Sequence, residues 1–409
     1  MAVPQLGAAP TRPDDALDLA AGDGRYQRST TKLVYYNPGG QWTGNMGSTT
    51  FQQAGLRLLF KPTETTRRWR FTARNFDVSN PAGGAEQVLT GTGLVYGVSD
   101  RSGSDGARSY NFAGGAATTL LGSNFTIPGD GSRYFSPWFT NTLEAGTEYI
   151  FGIAFTRPTS GAVKNSLGEC YRWTTASSAL NPAITSGSVG SAATPLDWGI
   201  EYEVQTTRRH FFLIGDSIAE GMTGIQGTSA ANLRHIPLWQ AWPREWASGH
   251  GTLVTMLAVN GFNASNFAAP DFDVAFDRFD WAAMKIDAVI YALGANDAMS
   301  QTLAQFQAST STVLNKIYTR IGHPAPTYMA TVIPRLGLDG TQNTRRRSYN
   351  TWMYEQMPYA IEGVIDADYQ FRQSAAQPDA NNAELYADGI HPSFRGLQMY
   401  RSVAATAIG

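Results

Sequence analysis

The chain has 409 residues, more than one compact core usually holds, so two domains are expected. Apolar residues make up 42% and charged residues 16%, and the net charge is −2. This balance suits a folded protein with ample core and leaves neither a basic surface for nucleic acid nor an acidic tail.

Cys170 is the single cysteine, which excludes an internal disulfide framework and any cysteine-based metal site; it reads as a buried small hydrophobe. His210, His235, His250, His323 and His391 are scattered without metal-ligand spacing, so no zinc site is expected. The start, "MAVPQLGAAPTRPDD", has no basic stretch and no apolar run of signal-peptide type. No segment approaches the ~20 apolar residues of a membrane span. The expectation is synthesis in the cytoplasm without export by a signal peptide.

Three regions follow in chain order. Residues 1–30 are rich in Ala, Pro and Asp and read as an extended arm, with one short helix conceivable in "DDALDLAAGDGRYQRS". Residues 31–205 read as β. The runs "KLVYYN", "LRLLFK", "RWRFTARNF", "TGLVYGVS" and "EYIFGIAFT" are short and separated by turn clusters such as "NPGG" and "PGDGS". That spacing predicts an antiparallel sandwich or jelly roll. "TSGAVKNSLG" and "TTASSALNPAITSGSVGSAATP" read as surface loops or a linker.

Residues 206–409 change pattern. The strands "HFFLIG", "TLVTMLAVN", "DAVIYALG" and "PTYMATVIP" alternate with helical stretches such as "QTLAQFQASTSTVLNKIYTRI" and "TRRRSYNTWMYEQM". Near-continuous apolar strands between helices predict a three-layer α/β domain with a parallel sheet. Ligands in such sheets sit at the carboxyl ends of the strands.

The polar residues gather at those ends. "LIGDS" closes the first strand at Ser217, "AVNGFNASN" follows the second, "YALGANDAM" brings Asn296 and Asp297 after the third, and "LYADGIHPSFRG" holds Asp388 and His391. Taken singly, Ser217 is a helix N-cap, Asn296-Asp297 a turn, and His391 a surface histidine. Taken together they supply a nucleophile, a base and a group to orient that base. Asn296 and the backbone N–H of Ser217, at the expected helix start, can donate to an oxyanion.

These residues resemble the SGNH (GDSL) hydrolase family over about residues 208–409, through "GDSIAEG", "VNGFNASN", "GAND" and "DGIHP" in order. The resemblance implies a flavodoxin-like fold with Ser217 as nucleophile, His391 as base, Asp388 as its partner and Asn296 as an oxyanion donor. It implies no metal and no organic cofactor. The family's second block commonly reads Asn-x-Gly-x-Ser-Gly, whereas here the glycine is Gly261. Alignment on Asn260 puts Ser265 at the donor position and alignment on Gly261 puts Ala264 there; Gly261 is the conventional choice, Ala264 the second. The β-rich half is similar to the N-terminal jelly roll of certain SGNH esterases, some of which act on acetylated carbohydrate. "ALDLAAGDGRYQ" resembles segments of bacteriophage tail proteins.

Other conspicuous residues fit ordinary structural roles. Trp239, Trp242 and Trp246 lie at near-helical spacing and read as core before sugar platform. Arg345, Arg346 and Arg347 read as a solvated helix face, with contact to an anionic polysaccharide as the sharper alternative. Tyr134, Phe135 and Trp138 read as core or rim, and Asp216 and Asp297 as hydrogen-bond acceptors that pin loops.

The expectation is a serine esterase that hydrolyses O-acetyl or other O-acyl esters, on carbohydrate such as a bacterial surface polysaccharide. The alternatives are a receptor-binding or structural phage tail protein with an inactive hydrolase half, and a lipase or thioesterase. The expected partners are the acylated carbohydrate, virion tail proteins through the arm, and further copies of the chain.

Overall fold

The computed structural model describes residues 29–36, 41–45, 53–76, 86–101, 110–122, 124–156, 164–166, 170–173, 176–185, 188–190, 194–224, 234–235, 240–355 and 361–409. The arm expected at 1–30, with its short helix and tail-like segment, lies outside them apart from Ser29 and Thr30.

The first half is built on β1 (Thr30–Tyr36), β2 (Gln53–Phe60), β3 (Arg68–Arg74), β4 (Leu89–Val98), β5 (Tyr149–Thr156) and β6 (Asp197–Thr206). One antiparallel sheet runs β1-β6-β3 and ends on Tyr134–Phe135. The second centres on β2-β5-β4, with Cys170–Trp173 and Ser188–Gly190 beyond β2 and Thr118–Leu121 beyond β4. Period-two alternation sets the packing: Trp69, Phe71 and Ala73 on β3 and Trp198, Ile200, Tyr202 and Val204 on β6 are all buried on the inner face. Aromatic rings then cross between the sheets, Tyr36 with Phe60 at 4.7 Å and Trp69 with Phe151 at 5.2 Å.

The Ser- and Ala-rich stretch expected to be a loop or linker is instead docked on this sandwich. Its residues Ala176–Leu180 form a helix, and Ser188–Gly190 and Thr194–Pro195 are strands. The cause is Arg57, buried on β2, whose guanidinium donates to the carbonyls of Ala179 at 3.1 Å, Asn181 at 2.6 Å and Tyr110 at 2.9 Å. A buried cation gathers the acceptors that a polar sequence would otherwise offer to water. Lys164–Ser166, in the other expected loop, is likewise a strand. The side chain of Cys170 lies outside the described residues.

β6 ends at Thr206 and β7 (His210–Gly215) begins the second half after a short turn. With β8 (Leu253–Ala258), β9 (Ala288–Ala292), β10 (Thr327–Ala330) and β11 (Ile361–Ile365) it forms a parallel sheet of order β8-β7-β9-β10-β11. The first four strands match the expected runs. β11, "IEGVI", is a partly exposed edge whose Glu362 and Gly363 blur the apolar signal.

Every residue of β7 is buried because the sheet is covered on both faces. Phe211 and Leu213 face a layer holding α1 (Trp242–Gly249) and α5 (Phe394–Ile408), whereas Phe212 and Ile214 face α3 (Leu303–Ile321) and α4 (Gly340–Glu355). The shorter α2 (Ala264–Ala268) follows β8. The sheet order places the second and third strands on either side of the first, so the switch point falls at the carboxyl end of β7.

The two halves share an interface. Leu33 and Tyr35, on the outer face of β1, join the hydrophobic cluster of the second half, and the Tyr35 ring meets Phe279 edge-on at 5.1 Å. Lys32 Nζ donates to Asp287 and to the Arg208 carbonyl across the same seam.

Candidate active site

β7 delivers Gly215, Asp216 and Ser217 to the switch point. Glycine is required at 215, since a Cβ there would lie 2.5 Å from the Cβ of Ala219 as the chain folds back. Asp216 Oδ1 accepts the Ile218 N–H at 3.0 Å, and the carbonyls of Asp216 and Ser217 accept from Glu220 at 3.1 Å and Met222 at 3.0 Å. The chain therefore makes one tight turn and enters the strand Met222–Thr223. This corrects the expectation of a helix after Ser217: the Met222 N–H closes back on the Ser217 carbonyl five residues earlier, and the chain leaves the turn as a strand. No helix dipole acts there. The Ser217 N–H meets no acceptor among the described residues.

His391 comes from a loop that Asp388 organises. Asp388 Oδ1 accepts the N–H groups of Ile390 at 2.9 Å and His391 at 2.7 Å, and Oδ2 lies 3.1 Å from His391 Nδ1. The other ring nitrogen, Nε2, is 3.0 Å from Ser217 Oγ. Thr223 Oγ1 donates to the Pro392 carbonyl at 2.6 Å, tying the nucleophile turn to the histidine loop. Burial works against the charge of Asp388, but the bonds from the His391 ring and the two backbone N–H groups outweigh it and hold the carboxyl at about 2. An ionised acceptor at Nδ1 fixes the tautomer that leaves Nε2 free to take a proton from the hydroxyl.

The second and third strand ends close the other side. Val259 N–H donates to the Gly215 carbonyl at 3.0 Å, which seats the second-block loop beside the nucleophile turn. Asn296 Nδ2 donates to the Phe262 carbonyl at 2.9 Å, keeping its other N–H and placing the amide beside Gly261. Gly261 has φ +76°, is exposed, and its N–H has no acceptor among the described residues. Ala264 is corrected as a candidate donor: its N–H is spent on Asp297 Oδ1 at 2.8 Å, in a buried bond. The alternative at Ser265 falls in the first turn of α2, with its hydroxyl bonded to Asn263.

Asp216 and Asp297 each accept a backbone N–H, the pinning role read from the sequence. Both are buried, which raises Asp216 to about 6 and Asp297 to about 7, the Asp216 charge adding to the rise at Asp297. Asp297 Oδ2 has no hydrogen-bond partner among the described residues.

Of the other sequence candidates, Trp242 and Trp246 are fully buried, stacked on Tyr400 and edge-on to Phe211, and are core as expected. Trp239 lies outside the described residues. Arg346 is corrected: it faces inward, fully buried, and pairs with Asp368 and Asp379. Arg347 pairs with Asp379, and Arg345 donates to the Met299 carbonyl. Phe135 and Trp138 line the sandwich rim under Arg70, with Tyr134 partly buried beside them. His210 is buried between Thr255 and the Met284 carbonyl, away from Ser217.

Sequence reasoning passed over Arg335, which follows β10 and carries a positive charge near Asp216 and Asp388. The carboxyl-end rule, applied to "VIPRLG", is the signal that would have found it. Among the described residues no group of three His, Cys, Asp or Glu could hold a metal ion, and no helix is long and apolar enough to cross a membrane.

Residues 213–399 match the GDSL-like lipase/acylhydrolase family. Among solved structures, an active-site mutant of a family two carbohydrate esterase from Clostridium thermocellum is 12% identical, with a TM-score of 0.39 over 92% of this chain and 97% of that one. A family two carbohydrate esterase with a carbohydrate-binding domain from Corynascus thermopiles is 14% identical, with a TM-score of 0.40 over 92% and 98%. A carbohydrate acetylesterase from Sinorhizobium meliloti is 16% identical, with a TM-score of 0.35 over 49% and 97%. No curated protein matches. Within the second half of the chain, residues 213–399 form a GDSL-like lipase/acylhydrolase domain.

Proposed function

We propose that this domain is a serine esterase in which Ser217 attacks the ester carbonyl and His391 takes its proton. The observation that carries the reading is the chain of contacts from Ser217 Oγ to His391 Nε2 at 3.0 Å and from His391 Nδ1 to Asp388 Oδ2 at 3.1 Å. The tetrahedral oxyanion accepts from Asn296 Nδ2 and from the N–H groups of Ser217 and Gly261. His391 then protonates the leaving alcohol, and water, activated by the same ring, hydrolyses the acyl-enzyme. Asp388 stays ionised throughout and stabilises the imidazolium.

For the substrate we propose an O-acetyl ester of a carbohydrate. Support comes from the sequence resemblance to SGNH esterases with an N-terminal jelly roll, where a β-rich half precedes the hydrolase. The resemblance of the first residues to tail proteins extends the proposal to a virion component, which immunolabelled electron microscopy of the source particle tests.

Hydrolysis of p-nitrophenyl acetate by the wild type and by Ser217→Ala tests the mechanism. The variant is expected to lose turnover to background; wild-type turnover in the variant would remove Ser217 as nucleophile. Acetate release from a panel of acetylated polysaccharides tests the substrate class. Turnover of p-nitrophenyl acetate with no acetate from any polysaccharide would leave an esterase and discard the carbohydrate.

A further inference from the structure

An excess of buried positive charge lies where the sandwich meets the hydrolase domain, away from the Ser217 site. Arg74 on β3, Arg133 just before Tyr134–Phe135, and Arg278 from the hydrolase domain surround one carboxylate, Asp197 at the start of β6. Arg74 Nε and Arg133 Nη2 donate to Asp197 Oδ2 at 2.6 and 2.7 Å, and Arg278 Nη1 lies 3.6 Å from Oδ1. All four side chains are 3% exposed or less. Three guanidiniums against one carboxylate leave positive charge without a partner. Glu201, which also acts on Arg133, has its own hydrogen bond from Arg70.

The donors are as unbalanced as the charge. Arg74 Nη1 donates to the Gly131 carbonyl, and Arg133 Nη1 to Thr72 Oγ1 and the Tyr35 hydroxyl. Arg74 Nη2, Arg133 Nε, and both Nε and Nη1 of Arg278 are buried with no hydrogen-bond acceptor among the described residues. Phe76, Tyr35 and Phe279 lie over the guanidinium carbons at 5.3, 5.2 and 4.8 Å from Arg74, Arg133 and Arg278. A ring face offsets part of the charge but supplies no lone-pair acceptor, so the rings do not replace the missing hydrogen bonds. Buried ions are tolerated when both charge and hydrogen bonds are met, and here neither is.

We propose that this cluster binds a small inorganic anion of the chloride class, bridging Arg74 and Arg133 of the sandwich to Arg278 of the hydrolase domain. The ligand is small because the free nitrogens are closed to solvent, and it is anionic because they are donors on cations. Its binding joins the two halves of the chain and is independent of the reading of Ser217.

The test uses the full chain. Thermal unfolding is followed in sodium chloride and in sodium gluconate at equal ionic strength. Chloride at ten times its dissociation constant is expected to raise Tm by about 2–4 °C over gluconate, in a saturating curve. Arg278→Gln is expected to abolish the difference. A crystal soaked in sodium bromide is expected to show an anomalous peak within hydrogen-bond distance of the free nitrogens of Arg74, Arg133 and Arg278. Equal Tm in the two salts, with water and no anomalous peak at the cluster, overturns the proposal. Where the two measurements disagree, or where the variant fails to fold, the bromide peak decides.

Discussion

Asp388 holds His391 through both of its carboxylate oxygens: Oδ1 accepts the His391 backbone N–H at 2.7 Å, and Oδ2 lies 3.1 Å from ring Nδ1. The residue that orients the ring thus also fixes the backbone carrying it. Replacement by asparagine preserves the loop bond from Oδ1 but can present an NH2 to Nδ1, which favours the wrong tautomer. Asp388→Asn is expected to lower kcat for p-nitrophenyl acetate by about 10²–10⁴-fold, with KM little changed. A kcat within twofold of wild type would show that Asp388 only shapes the loop.

Asn296 stands at the end of β9 with one amide hydrogen given to the Phe262 carbonyl and one kept. If the free hydrogen meets the developing oxyanion, Asn296→Ala loses transition-state binding and little ground-state binding. The expected loss is about 10²–10³ in kcat. Equal losses in 1/KM and kcat/KM at constant kcat would assign the amide to substrate binding instead.

How far these residues could be read from sequence differs from element to element. β7 to β10 are buried on both faces, so their apolar runs stood out, and the polar groups at their carboxyl ends followed from sheet topology alone. Ser217 and Asn296 were legible for that reason, whereas Asp388 and His391, in the loop before α5, were legible from their three-residue spacing and the resemblance of "DGIHP" to the family block. The turn after Ser217 was not, because "SIAEG" has helical composition, whereas the chain leaves it as the strand Met222–Thr223, tied through Thr223 to the Pro392 carbonyl 169 residues away. The Ala264 N–H could not be assigned either, since its acceptor, Asp297, is 33 residues away. Arg346 failed for a related reason: "TRRRSYN" looks solvated until Asp368 and Asp379 are brought to it from a distant segment. Sequence periodicity reports burial of apolar side chains well and burial of paired charges poorly.

Gly215 and Ala219 face each other across the nucleophile turn, and a Cβ at 215 would sit 2.5 Å from that of Ala219. Gly215→Ala is expected to cost about 1–3 kcal/mol by overpacking and to lower kcat at least about tenfold by displacing Ser217. Adding Ala219→Gly removes the clashing methyl and should restore most of both. Additive losses in the double variant would place the cause elsewhere.

Asp297 gives stability an unusual pH dependence. Its folded value, about 7, lies above its ordinary value because burial disfavours the charge. The folded state then binds more protons than the unfolded state between about pH 4 and 7. The contribution of Asp297 is fully present below pH 4 and is lost as pH rises through 7. Asp297→Asn should therefore raise the free energy of unfolding relative to wild type more at pH 8 than at pH 5, by an amount on the order of 2 kcal/mol, read by denaturant unfolding at the two pH values. Asp388 acts in the opposite sense: its contribution is present above its ordinary value and is lost as pH falls through about 2. A pH-independent difference between Asp297→Asn and wild type would show that Asp297 is ionised throughout.

Arg346 is fully buried on α4 and held by both charge and hydrogen bonds. It donates to the carbonyls of Val332 at 3.3 Å and Pro378 at 2.7 Å, and pairs with Asp368 and Asp379. Asp368, 2% exposed, is shared with Arg372. Arg346→Met leaves Asp368 buried with only Arg372 as counter-charge and should cost about 3–5 kcal/mol, or about 6–20 °C in the Tm of this domain. Because Val332 begins the loop that carries Arg335 towards the Ser217 site, kcat should fall only as far as that loop shifts. Replacing the pair together, Arg346→Met with Asp368→Leu, removes the stranded carboxylate and should recover part of the loss. Recovery of nothing would mean that Arg346 stabilises through its two carbonyl bonds and not through its charge.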